Sequence, residues 1–181
     1  MIHAMVATYI YAGLRREEAI WLTVEDLDFA IGRLGAIRVR AKTLNGESWQ
    51  PKTKVNRVVP INRALRAILD AYARPDVPTP WFFPSPRGKR WDPDFSEALR
   101  AVNWAEGLSW SSLVYRHTFG SQLAMKGESL YKISTLMGNS PEICRRHYAT
   151  LMPEALVQSV EFDSEFSDSN PRTEPRVLIL T

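Results

Sequence analysis

At 181 residues the chain suits one domain, or one domain with a tail, and its single cysteine, Cys144, excludes an intrachain disulfide and fits a reducing cytoplasm. No apolar run is long enough to span a membrane, no Cys/His cluster has zinc-ligand spacing, and the apolar start is broken by Gly13 and Arg15 without a secretory cleavage site. The net charge is +3, but residues 161–181 hold five acids and two bases, a net −3, which leaves +6 on residues 1–160. A body of that charge suits contact with phosphates or, more plainly, a solvated basic surface.

Residues 2–12 are apolar and predict a helix, with Gly13 placed to cap it in the left-handed conformation. A second helix is expected from Leu14 to Leu22, with acids in its first turn, closed by residues 23–29. Arg15 and Glu18 on it have the spacing of a solvated surface pair. Residues 36–40 alternate as a strand, Asn45-Gly46 marks a hairpin, Trp49-Gln50 reads as a second short strand, and residues 57–61 read as a third. Lys52 and Lys54 lie in the polar stretch before that third strand. Residues 62–73 place Leu65, Ile68, Leu69 and Tyr72 on one helix face. Residues 74–93 are rich in proline and aromatic side chains. Their loop at 84–90 carries Arg87, Lys89 and Arg90, which suit either a DNA-backbone contact or a solvated turn. A helix over residues 94–105 is expected to turn Phe95, Ala98, Leu99 and Val102 inward. The fold class is α+β, mainly α-helical with a small three-stranded antiparallel sheet.

Residues 113–148 carry the chemistry. They read as helices broken at Lys126-Gly127 and again at residues 137–141. Arg116-His117 stands near the start of the first, and Arg145, Arg146, His147 and Tyr148 stand on the last. Arginines can grip the non-bridging oxygens of a phosphate and neutralise transition-state charge. A phenol can serve as the nucleophile that becomes covalently linked. Read alone, Tyr148 equally suits a ring packed at a helix end, and Asn139 suits either a phosphate donor or a helix N-cap, with Ser140 as its rival for the cap.

Several boxes, in order, resemble the tyrosine recombinases, the phage-integrase family. Ala12-Gly13-Leu14-Arg15 with Glu18 is similar to the first box, Thr-Gly-Leu-Arg-x-x-Glu. Arg116-His117-Thr118-Phe119 is similar to the second, Leu136-Met137-Gly138-Asn139-Ser140 to the third, and His147-Tyr148 to the last. Trp81-Phe82-Phe83-Pro84 resembles a short Leu-Phe-Pro segment of the family. The likeness covers roughly residues 5–155. It implies the DNA breaking–rejoining catalytic fold and a site-specific recombinase that acts without metal or cofactor.

On that resemblance Tyr148 attacks the scissile phosphate to form a 3′-phosphotyrosine link, and Arg15 and Arg116, with Asn139, stabilise the pentacoordinate phosphate. Lys52, with Lys54 as fallback, matches the lysine that protonates the leaving 5′ oxygen. Lys54, Arg87, Lys89, Arg90, His117, Arg145 and Arg146 are candidate DNA contacts. His117 follows Arg116, points about 100° round a helix from it, and is expected to be packed or hydrogen-bonded rather than catalytic.

Two positions depart from the pattern. Leu113 replaces the histidine that accepts the tyrosine proton, and Asn139 replaces a histidine or tryptophan. Slow chemistry follows, because a general base is worth about 10²–10⁴-fold. The alternatives are a weak or inactive DNA-binding accessory protein of the same fold, a type IB topoisomerase-like enzyme, and a helical interaction module.

Residues 1–160 are expected to form the catalytic domain, and residues 161–181 an acidic flexible tail whose last six residues are strand-like. The family's N-terminal DNA-clamping domain has no counterpart here, which suggests a catalytic domain cut from a longer protein or an encoded fragment. The implied partner is double-stranded DNA, with assembly to a tetrameric synapse on it, a monomer as an isolated domain, and no membrane. The implied setting is a bacterial or phage cytoplasm.

Overall fold

The structure, a computed structural model, describes residues 1–91 and 94–151. Residues 154–160, which the sequence also suits to a short helix, lie outside the described residues, as do the acidic tail and its strand-like end. Helix α1 (Ile2–Ala12) stops at Gly13, whose φ of 60° is left-handed backbone that glycine adopts cheaply. The same glycine admits the Phe119 ring: a Cβ there would meet it at 2.4 Å. The chain extends through Arg15 into α2 (Arg16–Ile20), where the Glu18 carboxylate accepts the Arg15 N–H at 2.7 Å.

The helix expected to reach Leu22 ends two residues earlier. Thr23 starts a separate turn, donating its N–H and hydroxyl to Asp26 at 2.9 and 2.8 Å, and the chain passes into β1 (Leu27–Asp28). Asp26 is fully buried and also accepts from Arg40 Nε at 2.8 Å and from the Lys42 ammonium. Burial alone would raise its carboxyl, but the hydrogen bonds from Lys42 and Arg40 hold it below the usual carboxylate range.

Strands β2 (Ala36–Val39) and β5 (Arg57–Pro60) pair antiparallel, with Ile37 opposite Val59, and β1 pairs with the other edge of β2. The three-stranded antiparallel sheet is therefore ordered β1-β2-β5. Trp49, expected in the second of its short strands, instead lies in a separate hairpin of β3 (Lys42–Leu44) and β4 (Glu47–Trp49). Asn45 and Gly46 both have positive φ, 54° and 78°, as a tight two-residue turn requires. Trp49 stacks on Trp21 at 5.9 Å, and Glu47 accepts from Arg90 at 2.6 Å. The hairpin is thus pinned to the body, and the chain leaving it at Gln50 is aimed at the helical side.

Helix α3 (Arg63–Ala71) buries Leu65 and Leu69, with Ile68 and Tyr72 packed beside them. Trp81, Phe82 and Phe83 are buried, so the expected aromatic segment is core. In α4 (Phe95–Ala105) Phe95 and Leu99 face inward, but Val102 is exposed and Asn103 is buried in its place. A polar demand decides this: Asn103 accepts from the Tyr115 hydroxyl at 2.7 Å and donates to the Trp110 carbonyl. Helices α5 (Ser112–Met125), α6 (Leu130–Met137) and α7 (Pro141–Tyr148) follow, and α5 packs along α1. Among the described residues no helix is long and apolar enough to cross a membrane.

Phe119, Ala124, Ile133, Met137, Cys144 and Tyr148 form a second core between α5, α6 and α7. Gly120 sets how closely α7 approaches: a Cβ on it would lie 2.3 Å from Tyr148 Cζ and 2.6 Å from its hydroxyl oxygen. Alanine is the better helix former by about 1 kcal/mol, but overpacking a buried ring costs about 1–3 kcal/mol. Gly120→Ala is therefore expected to destabilise the protein to denaturant. The same change in a Tyr148→Ala background, where the clash is gone, is expected to stabilise it. Equal effects in both backgrounds would show that the glycine is not there for the ring.

Candidate active site

Glu18 is the centre from which the site is built. Its side chain is 1% exposed, yet it is ionised: burial pushes its carboxyl up, and hydrogen bonds and charge from Arg57 and Arg15 outweigh this and hold it low. Arg57 reaches both carboxylate oxygens, at 2.8 and 2.6 Å. Arg15 binds one of them at 3.0 Å, and Arg116 lies 3.9 Å from the other. Three guanidiniums share this carboxylate, so the cluster keeps a surplus of positive charge. The surface-pair reading of Arg15 and Glu18 is half met: the pair exists, but the acid is buried.

Each of the three guanidiniums also donates to a carbonyl at the end of a helix. Arg116 donates to the Gly13 carbonyl at the end of α1 and to the Met137 carbonyl at 2.6 Å. Arg57 donates to the Leu136 carbonyl at 2.9 Å, and Arg15 to the Gly138 carbonyl at 2.6 Å. These acceptors are carbonyls that a helix leaves unpaired at its C-terminus, where the helix dipole is negative.

Asn139 links the two arginines singled out by sequence. Its Oδ1 accepts from Arg15 at 2.8 Å and from Arg116 at 3.1 Å. The N-cap of α7 is Ser140, which accepts the Ile143 N–H at 3.3 Å, with Pro141 at the first helical position. Asn139 is therefore not the cap. Burial, with Arg15 and Arg57 beside it, lowers the Arg116 guanidinium to about 10, still cationic at neutral pH.

Tyr148 is buried against Gly120, and its hydroxyl meets His117 Nδ1 at 3.0 Å. Burial raises the phenol and the Arg116 charge opposes this. His117 is half-buried and lowered by that burial, by His147 and by Arg116. The two imidazole rings are 5.3 Å apart, with His147 exposed. As expected His117 is hydrogen-bonded, but its partner is the tyrosine hydroxyl and not a distant scaffold group.

These groups open onto one cleft of about 930 Å3, lined also by Lys52, Leu113 and Ser140. Lys52 is exposed on its wall, in the turn that follows the pinned hairpin. Lys54, exposed at φ 56°, closes that turn by donating its N–H to the Pro51 carbonyl and is not among the cleft-lining residues. Leu113 is 59% exposed, one turn before His117 on α5. Arg87 and Lys89 are exposed on their own loop, outside the cleft lining, whereas Arg90 is held by Glu47 and the Trp21 ring. Arg145 pairs with Glu142 at 2.9 Å on the exposed face of α7, where Arg146 is also exposed. Among the described residues no group of three or more His, Cys, Asp or Glu side chains is placed to hold a metal ion.

Sequence reasoning missed Arg57 as part of the site. The signal was present: Arg57 and Val59 share one face of a strand by alternation, and that face is buried. An arginine on a buried strand face demands a buried acid, and Glu18 is that acid.

The sequence model of the phage integrase family matches residues 2–154. No curated protein sequence matches the chain. Among solved structures, the Tn1549 transposon integrase in complex with transposon right end DNA superposes with a TM-score of 0.71 at 20% identity, over 88% of this chain and 57% of that one. XerA recombinase gives 0.66 at 23% identity, over 87% and 56%, and the catalytic domain of bacteriophage HP1 integrase gives 0.59 at 22%, over 92% and 84%. This chain thus spans little more than half the length of the XerA and Tn1549 chains, and the likenesses establish a shared fold. By its match over residues 2–154 and this fold, the chain belongs to the phage integrase family.

Proposed function

We propose that this chain is the catalytic domain of a site-specific DNA recombinase that cuts and rejoins DNA through a 3′-phosphotyrosine intermediate. The observation that carries the reading is one cleft in which Arg15, Arg116 and Asn139 form a cationic, hydrogen-bonding cradle beside the Tyr148 hydroxyl, with Lys52 on the wall. The cradle suits a phosphodiester. The guanidiniums neutralise its non-bridging oxygens, and the Asn139 amide N–H groups add a neutral donor. Tyr148 Oη attacks phosphorus, the P–O5′ bond breaks, and the 5′ oxygen takes a proton from Lys52. The phosphotyrosine keeps the bond energy, so a 5′ hydroxyl from another strand reverses the step and completes an exchange.

The family model's reach to residue 154 supports a catalytic unit within residues 1–160, with residues 161–181 as an appended tail. The exposed Lys54, Arg87, Lys89, Arg145 and Arg146 contact the DNA backbone, and His117 adds to them from the cleft. Arg90 contributes through what it holds in place. Strand exchange needs several copies assembled on DNA, in a cytoplasm where that DNA is accessible.

The test is a nicked duplex pool of random sequence, in which loss of the short strand beyond the cut traps the intermediate. A protein–DNA band on a denaturing gel is expected for the wild type and not for Tyr148→Phe. Arg116→Ala should slow its appearance by about 10²–10³-fold, as expected for loss of a transition-state donor. Lys52→Ala should slow it by about 10²–10⁴-fold, and a substrate whose leaving 5′ oxygen is replaced by sulfur should restore the rate, because a thiolate leaves without a proton. No band, with the DNA retarded on a native gel in salt-dependent fashion, would replace this reading by a DNA-binding accessory role. Relaxation of supercoiled plasmid without paired sites would replace it by a topoisomerase.

A further inference from the structure

In this chain, we infer that His117 is the general base that takes the proton of Tyr148, in place of the imidazole missing at Leu113. The inference rests on the strand-transfer reading above and deepens it. His117 Nδ1 stands 3.0 Å from the Tyr148 hydroxyl oxygen, within the range in which a base takes a proton directly. Leu113 lines the same cleft but has no group that accepts a proton. His147, the neighbour of Tyr148 in sequence, has no hydrogen bond to its hydroxyl and stands with its ring 5.3 Å from that of His117.

Packing explains why position 117 can do this. On α5, Leu113, His117 and Gly120 follow one another at four and three residues, so they share a face of the helix. Gly120 lets the Tyr148 ring lie against that face, and the phenol oxygen then points toward His117, one turn nearer the N-terminus. A side chain at 120 would hold the ring away. The shift of the base by one helical turn therefore depends on the glycine.

The charges around the imidazole favour the form that accepts a proton. Arg116 on its own helix and His147 on α7 face it, while Arg15 and Lys52 line the same cleft. Burial and the Arg116 and His147 charges lower His117 below the ordinary imidazole value, so it is neutral at neutral pH. With Nδ1 unprotonated, the ring accepts from the phenol. As Tyr148 Oη bonds to phosphorus and the P–O5′ bond breaks, its proton passes to Nδ1, and Lys52 supplies the proton taken by O5′. In the rejoining step each proton returns.

The measurement is the rate at which the covalent product forms on the nicked random-sequence pool, as a function of pH, for the wild type, His117→Gln and His117→Ala. The wild-type rate is expected to rise with pH through the depressed His117 value and then level. His117→Gln should be slower by about 10²–10⁴-fold and lack that rising limb. His117→Ala should regain activity in proportion to added imidazole. Circular dichroism of both variants should match the wild type, and the rates are compared at saturating DNA so that any loss of the His117 contact does not enter them. A His117→Gln variant within a few-fold of wild type, or a slow one with an unchanged pH profile and no imidazole rescue of His117→Ala, would overturn the role of His117 and leave the strand-transfer reading standing. A wild type that forms no Tyr148-dependent product would overturn both.

Discussion

One buried carboxylate, Glu18, is the constraint on which the site depends. Three guanidiniums arrive from different parts of the fold: Arg15 from the turn after α1, Arg57 from the sheet, and Arg116 from α5. Without a counter-charge they would repel one another in a partly buried space. Removing one partner of a buried ion pair costs about 3–5 kcal/mol, whereas an exposed pair contributes about 0–1 kcal/mol. Glu18 therefore does more than the solvated pair with Arg15 that its spacing allows. The carbonyls at the ends of α1 and α6 complete the arrangement by accepting the N–H groups that Glu18 does not reach.

Because those carbonyls belong to helix ends, the site and the fold share the same bonds. Gly13 ends α1 and offers its carbonyl to Arg116, and it also makes room for Phe119 on the helix that carries Arg116. Gly138 ends α6 and offers its carbonyl to Arg15, with a backbone at φ 63° that favours glycine. A Cβ on it would stand 2.8 Å from Arg57 Nη1. The two glycines of the sequence boxes are thus explained by packing around arginines. Gly120 does the corresponding work for the tyrosine. The positive surplus left after Glu18 is neutralised is what suits the cleft to the phosphate of the proposed reaction.

Much of this was legible in the sequence, and the reasons are local. Gly13, Asn45-Gly46 and Gly138 announce backbone that needs positive φ, so the elements they bound fall where expected. The recurrence of boxes placed Arg15, Lys52, Arg116, Asn139 and Tyr148 in one site, and one cleft holds all five. Strand β1 was not legible, because two residues cannot show an alternation. The inward turn of Asn103 in place of Val102 depends on Tyr115, which lies on another helix. The contact of His117 with Tyr148 was hidden for the same reason: it depends on how closely α7 approaches α5, and no periodicity encodes that distance. Arg57 was legible in principle, since alternation places it on a buried face, but its partner 39 residues earlier was not.

A carbon-13 NMR titration of the Glu18 side-chain carboxyl tests most directly whether one ionised carboxylate gathers the arginines. Its folded pKa lies below the ordinary glutamate value of about 4.3. The stability it contributes is therefore present above that value and is lost as the pH falls through the folded one. The expected result is a titration below the ordinary value, moved upward by Arg57→Gln as one donor pair is lost. A Glu18 that titrates at or above the ordinary value, indifferent to Arg57→Gln, would mean that the arginines are not held by its charge, and the site would need another organiser.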